Sequence, residues 1–194
     1  MKLPEILKRD YIQSIIMIIV VILAVLVFWY GLRLAYNIEN PMLAVASGSM
    51  RPVLEIGDLI LVEGIRNISN IHAAPVDAQD PGDIVVYQGT RELIVHRAVN
   101  KTYNEEDGTW SFTTKGDNNS TPDPRKVTED KIVGKYTGFK IPWLGNIALW
   151  FADFEVKVAF VALWIILLFI IEVVPLLKKR RNSNNHEASL YKQH

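Results

Sequence analysis

Two apolar blocks bracket a polar middle. From Tyr11 to Leu32 there are 22 residues without a formal charge, bounded by Asp10 and Arg33. At about 1.5 Å rise per residue, a helix of that length reaches roughly 33 Å, enough for a hydrocarbon core of about 30 Å. The pattern predicts a transmembrane helix over 11–32. A cleaved signal peptide has an apolar region of about 7 to 15 residues ending in small side chains. This run is longer and leaves through Trp29, Tyr30 and Arg33, side chains suited to a membrane interface, so it is expected to stay attached. A second apolar run, Val158 to Leu177, is broken by Glu172 and Pro175 and followed at once by Lys178, Lys179, Arg180 and Arg181. It predicts a second spanning helix over 158–177. Glu172 falls about 9 Å from Lys178 at helical rise, close enough to the headgroups to be a tolerated near-interface acid.

Basic residues beside membrane spans favour the cytoplasmic side. Lys2, Lys8 and Arg9 precede the first span and the Lys178–Arg181 cluster follows the second, so segments 1–10 and 178–194 are expected in the cytoplasm. That places 33–157 across a multi-pass membrane anchor as one extracytoplasmic domain, large enough for a core of its own. It carries 13 basic against 17 acidic residues. From Asn182 onward the tail has Leu190 and Tyr191 as its sizeable apolar side chains, and it is expected to be solvent-exposed.

Within the middle segment the apolar runs are short and rich in β-branched residues. Asp58–Glu63, Asp83–Gln88, Glu92–Asn100, Thr109–Lys115 and Lys131–Lys140 have strand length and are separated by Gly, Pro, Asn and Asp clusters. The domain is therefore predicted to be mainly β. Glu105–Gly108 reads as a hairpin turn and Ile71–Gly82 as a long loop. Ile141–Phe154 interleaves aromatics with few charges, and either a segment lying on the bilayer or a core element has that pattern.

Composition narrows the chemistry. The whole chain balances 21 Lys and Arg with 21 Asp and Glu and has no long basic stripe, which argues against nucleic-acid binding. Without cysteine there is no disulfide framework, thiolate metal site or thiol nucleophile, and the redox compartment stays open. No metal or cofactor site is expected.

The remaining candidates are hydroxyls, histidines and acids. In Ser47-Gly48-Ser49-Met50-Arg51-Pro52, Gly48 relieves crowding beside Ser49 and Pro52 limits the backbone after it. Ile94-Val95-His96-Arg97 places an imidazole in a strand-like run, and Lys115-Gly116-Asp117-Asn118-Asn119 leads to Pro122-Asp123-Pro124. Each segment alone also fits an ordinary turn or packing role. Together they supply a hydroxyl, a base of a type whose unperturbed pKa sits near neutrality and a carboxylate to orient it, the components of nucleophilic acyl transfer.

In that order and spacing, together with Gly57-Asp58 and Gly82-Asp83-Ile84-Val85, these segments resemble the motif series of type I signal peptidases. The resemblance is to the archaeal, endoplasmic-reticulum and spore-former branch, and it covers roughly Met42 to Ile141. It implies a membrane-bound serine protease, a hydrolase that cleaves after small residues and releases signal peptides during protein secretion. The bacterial and organellar branch has a lysine base where this position is His96. The resemblance further implies Ser49 as nucleophile, His96 as general base and then acid, and Ser47 with the Ser49 backbone N–H as oxyanion donors. Asp123 matches the orienting acid and Asp117 a supporting one.

Secretory preproteins are the implied substrates, with membrane lipid and the secretion translocase as partners. The location is a cell membrane, or the lumenal side of the endoplasmic-reticulum membrane in a eukaryote. The substrate is expected to add as a strand along Met42–Ser47 or the run entering His96, with Ala44 and Ala46 leaving room for small pockets. A non-catalytic β module on a membrane anchor is the alternative class, and a Ser–Lys dyad using Lys115 or Lys101 the alternative mechanism. Asn67-Ile68-Ser69 has the N-glycosylation pattern, as do the tripeptides starting at Asn118 and Asn119, where a glycan would crowd the active loop.

Overall fold

The computed structural model describes residues 5–152, 155–164, 166–167 and 170. The chain divides into two compact units, Met1–Asn146 and Ile147–His194. The first opens with helix α1 (Glu5–Tyr36), which extends past the predicted span by six residues at its start and four at its end. Nothing between Arg33 and Tyr36 breaks a helix. It stops where Asn37 turns left-handed at φ 50° and the Ile38 N–H bonds the Arg33 carbonyl at 3.2 Å, an αL cap that uses asparagine in place of glycine. Over Ile16–Tyr36 the helix is long and apolar enough to cross a membrane. A core helix would bury one face, whereas here Val27 is 72% exposed and Leu34 83%.

Seven strands follow: β1 (Met42–Ala44), β2 (Leu59–Glu63), β3 (Ile84–Gln88), β4 (Leu93–Asn104), β5 (Thr109–Lys115), β6 (Val127–Thr128) and β7 (Ile132–Ile141). They form an antiparallel sheet in the order β1-β2-β7-β3-β4-β5-β6. The five strand-length runs fall on β2, β3, β4, β5 and β7, with β4 extending to Asn104. β1 and β6 were not anticipated, since three and two residues are too few for alternation to register. The Asn104–Thr109 turn closes on Gly108 at φ 65°.

β3 is buried on both sides, and alternation sends its side chains to two cores. Ile84 and Val86 join Val45, Met50, Leu54, Ile60 and Val62 in one cluster, while Val85 and Tyr87 join Ile71, Ala98, Phe112 and Val127 in the other. The same alternation in β4 turns Leu93 and Val95 to the first cluster and Ile94 to the second. β4 pairs with β3 from Leu93 onward but with β5 only from Arg97. Leu93–His96 therefore has one edge without a strand partner among the described residues.

The turn after Ser49 is anchored from below. Asp58 is 2% exposed, and its Oδ2 accepts from the Lys140 Nζ at 2.7 Å and the Glu55 N–H at 3.0 Å. Lys140 also donates to the Val53 carbonyl at 2.9 Å. Burial raises the Asp58 pKa, and the Lys140 and Glu55 hydrogen bonds outweigh it, leaving the carboxyl below its ordinary value. A depressed native pKa stabilises the fold above the unfolded value and ceases to do so as pH falls through the native one. Asp58→Asn is expected to cost on the order of 2 kcal/mol at pH 7. In denaturant melts the gap from the parent protein should narrow below about pH 4; a gap independent of pH would remove the ion pair from this account.

Ile141–Phe154 is not a core element where it is described. In the first unit Ile141, Trp143 and Leu144 are exposed, Trp143 by 80% and at φ 69°. Helix α2 (Gly145–Trp150) runs into the second unit, where Ile147 and Trp150 are exposed too. Within that unit the rings of Trp150, Phe151, Phe160 and Trp164 stack edge-on in sequence. The described residues between 155 and 170 are helical. The rest of the expected second span, with Glu172 and the tail 178–194, lies outside the described residues. Among the described residues α1 alone meets the length and hydropathy of a span, so a second one is not supported there.

Candidate active site

Ser49 sits in the loop between β1 and β2, and its neighbour Met50 is buried in the first core, which fixes the loop from inside. The far side is held by the loop after β5. The Asn118 N–H donates to the Ser49 carbonyl at 2.8 Å and the Asn118 side-chain amide to the Gly48 carbonyl at 3.2 Å. This approach requires glycine at 116, because a Cβ there would lie 2.7 Å from the Ser49 carbonyl oxygen. The Asn118 Nδ2 that would carry a glycan is thus already used against the Ser49 loop. At the Asn67 pattern the side-chain oxygen instead accepts from the Ser69 N–H and hydroxyl, in a local turn.

Three of the anticipated residues stand in one hydrogen-bonded row. The Ser49 Oγ lies 3.1 Å from the His96 Nε2, and the His96 Nδ1 lies 2.7 Å from the Asp123 Oδ2. The same carboxylate oxygen accepts from the Thr114 hydroxyl at 2.6 Å and the Tyr87 hydroxyl at 2.9 Å. The backbone clamps it too, since the Asp123 N–H donates to the Thr114 carbonyl at 2.8 Å. Burial disfavours the Asp123 charge, and the hydrogen bonds from His96, Thr114 and Tyr87 more than offset that, so its pKa lies below the ordinary carboxylate value. Burial, opposed by a Thr114 hydrogen bond and reinforced by Asp123, pushes the Tyr87 hydroxyl up to about 12, so it remains a donor through the neutral range. An ionised Asp123 accepts only, which puts the imidazole proton on Nδ1 and leaves Nε2 to accept from Ser49.

The Ser47 Oγ lies 3.3 Å from the Ser49 Oγ, at the exposed mouth of the loop. Asp117 lies apart from the row. It takes two bonds from Arg97, at 2.8 Å from Nε and 2.6 Å from Nη2, and the third guanidinium nitrogen donates to the Gly82 carbonyl at 2.5 Å. The side chains of Arg97 and Asp117 are 8% and 2% exposed. Asp117 thus forms a buried ion pair that ties its turn to β4.

Neither lysine alternative, Lys115 or Lys101, is hydrogen-bonded to the Ser49 hydroxyl among the described residues. Lys101 donates to the Ser69 and Ile71 carbonyls and lies over the Trp110 ring, while the Ser49 Oγ bonds to His96 and Ser47. His72 belongs to the long loop, against Asp80 and Asp83. His186 and His194 lie outside the described residues. Tyr87, Thr114 and Arg97 were not anticipated. In the sequence Tyr87 ends an Ile-Val-Val run and reads as core, and only cross-strand register, with Val85 opposite His96, puts its hydroxyl near the imidazole.

A hydroxyl, an imidazole and a carboxylate in this order suit acyl transfer, and relatives agree. The chain is 34% identical over 136 residues to the signal peptidase complex catalytic subunit SEC11 of Lachancea thermotolerans, covering 65% of this chain and 74% of the relative. It is 31% identical over 165 residues to SEC11C of Rattus norvegicus, covering 80% of each. To the sec11 protein of Dictyostelium discoideum it is 29% identical over 173 residues, 84% of this chain and 89% of that one. The chain belongs to the SEC11 family of signal peptidase catalytic subunits. No protein-family model matches it. SEC11 membership makes it a protease of signal-peptide processing, as the motif series implied, and the non-catalytic module is not favoured. A mainly antiparallel sheet after an apolar helix that could span a membrane agrees with such an anchored enzyme.

Proposed function

We propose that this protein removes signal peptides from secretory preproteins at an extracytoplasmic membrane surface, with Ser49 as nucleophile, His96 as general base and acid, and Asp123 as the orienting acid. The hydrogen-bonded row from Ser49 through His96 to Asp123 carries this reading. The Ser49 Oγ attacks the carbonyl carbon of the bond to be cut while the His96 Nε2 takes its proton. Charge then develops on the carbonyl oxygen, and the Ser49 N–H and the Ser47 hydroxyl, whose Oγ lies 3.3 Å from the Ser49 Oγ, are its proposed donors. Collapse breaks the C–N bond and His96 delivers the proton to the leaving amine. A water activated by His96 releases the acyl half. Asp123 stabilises the imidazolium in both halves, and Asp117 supports the loop through Arg97.

The open edge of Leu93–His96 fits an extended substrate strand that ends at Ser49. The basic residues outside the apolar runs support a two-span topology with both tails cytoplasmic and 33–157 outside. The relatives' names support assembly with further subunits of a signal peptidase complex, beside membrane lipid and the translocase. The test is cleavage of a preprotein by the purified full-length chain and by Ser49→Ala. Cleavage after a small residue, lost in the variant, is expected; equal cleavage by both would overturn the mechanism. Single cysteines at Asn104 and Asn184, unambiguous in a chain without native cysteine, should label from outside and inside respectively. Outside labelling at Asn184 would eliminate the second span.

A further inference from the structure

The open edge of β4 has two faces, and they differ. Leu93 and Val95 pack on the first core, where Val86, the β3 partner of Val95, is buried. Ile94 and His96 turn the other way with their β3 partners Tyr87 and Val85, and a cleft of about 520 Å³ opens on that side. Its wall includes Ile94, His96 and Tyr87 but neither Leu93 nor Val95. Arg125, Lys126 and Lys131 line it as well, exposed and in no ion pair with any carboxylate among the described residues. Asp123, the acid on the same wall, is already taken by His96, Thr114 and Tyr87. The cleft is therefore cationic, and it belongs to one face of the open edge.

A strand added to this edge presents alternate side chains to the two faces, whichever way it runs, and residues paired across strands share a face. Signal peptides end in small residues at the first and third positions before the cut. Those two positions have the same parity, so they lie on one face of the added strand. A cleft this wide, rimmed by three cations, has no means of demanding small side chains. The first and third positions therefore fall on the Leu93 and Val95 face, and the second turns to the cleft. Resting on the signal peptidase reading above, we propose that this cleft is a specificity subsite for the second residue before the cut, where Arg125, Lys126 and Lys131 select an acidic side chain. Opposite charge at this rim acts on encounter and on bound-state positioning, and both weaken with salt.

The test uses the full-length chain in detergent and preproteins with alanine at the first and third positions before the cut and Ala, Glu or Lys between them. At low ionic strength kcat/KM for the Glu substrate should exceed that for the Lys substrate by about tenfold, and the ratio should shrink as salt rises. In the R125E/K126E/K131E variant the ratio should invert, and in the single K131E variant it should move the same way by less. Being a ratio, it does not depend on how much of the preparation is folded. A ratio near one in the parent protein, or one unchanged in the variants, overturns the subsite. So does an equal ratio when the Glu and Lys are placed at the second residue after the cut instead. Failure to cleave the Ala substrate would overturn the signal peptidase reading and this one with it, whereas cleavage of the Ala substrate without any preference between Glu and Lys counts against the cleft alone.

Discussion

Replacing His96 with alanine is expected to lower turnover by about 10⁴-fold or more while leaving the fold in place. The hydroxyl of Ser49 is a weak nucleophile unless its proton has somewhere to go, and the His96 Nε2, 3.1 Å away, is the acceptor in the structure. The same ring must return a proton to the leaving amine, so both halves of the reaction lose their carrier. Stability should change little by comparison. His96 closes a strand segment whose backbone pairing with β3 survives the change, and its ring meets Tyr87 edge-on, with centroids 6.4 Å apart. Because groups acting as a unit are strongly non-additive, the Ser49→Ala/His96→Ala double variant should be scarcely slower than either single one. Single-turnover cleavage beside thermal melts decides the matter. Near-normal cleavage by His96→Ala would discard the histidine mechanism and require another base to be brought to Ser49.

The contrast between what was legible and what was not follows from range. Elements governed by local periodicity were readable: the charge-free run that forms α1, and the alternating β-branched runs that form β2, β3, β4, β5 and β7. β1 and β6 escaped because a strand of three or two residues exists only through its neighbour, Met42–Ala44 through β2 and Val127–Thr128 through β5. Ser49, His96, Asp117 and Asp123 were legible as chemical types in motif order, although 47 residues separate Ser49 from His96. Their supports were not. Thr114 and Tyr87 come from two strands that are not adjacent in the sheet, and Asp58 meets Lys140 across 82 residues of chain. Nothing in local sequence distinguishes a strand threonine that orients a carboxylate from one that merely packs.

The two loop carboxylates separate most sharply under substitution by asparagine. At Asp123 the change keeps size and most hydrogen-bonding capacity, so the Thr114 and Tyr87 hydroxyls still find a partner and the stability cost should be about 1 kcal/mol or less. What disappears is the negative charge 2.7 Å from the His96 Nδ1. Without it the imidazolium formed during attack is unsupported, and where the amide turns its NH₂ toward the ring the imidazole adopts the wrong tautomer. Turnover by Asp123→Asn should therefore fall by a factor on the order of 10³ to 10⁴ with a near-parental melting curve. Asp117→Asn touches a different kind of bond. It strips one charge from a bidentate pair buried on both sides and leaves the Arg97 guanidinium uncompensated, at a cost of about 3 to 5 kcal/mol. Its turnover loss should be the smaller of the two, arising because a loosened Gly116–Asn118 turn no longer braces the Ser49 carbonyl. Denaturant melts and kcat measured on the same preparations resolve the two. The reverse pattern, with Asp117 purely kinetic and Asp123 the stabilising residue, would reassign the orienting acid while leaving Ser49 and His96 in their roles.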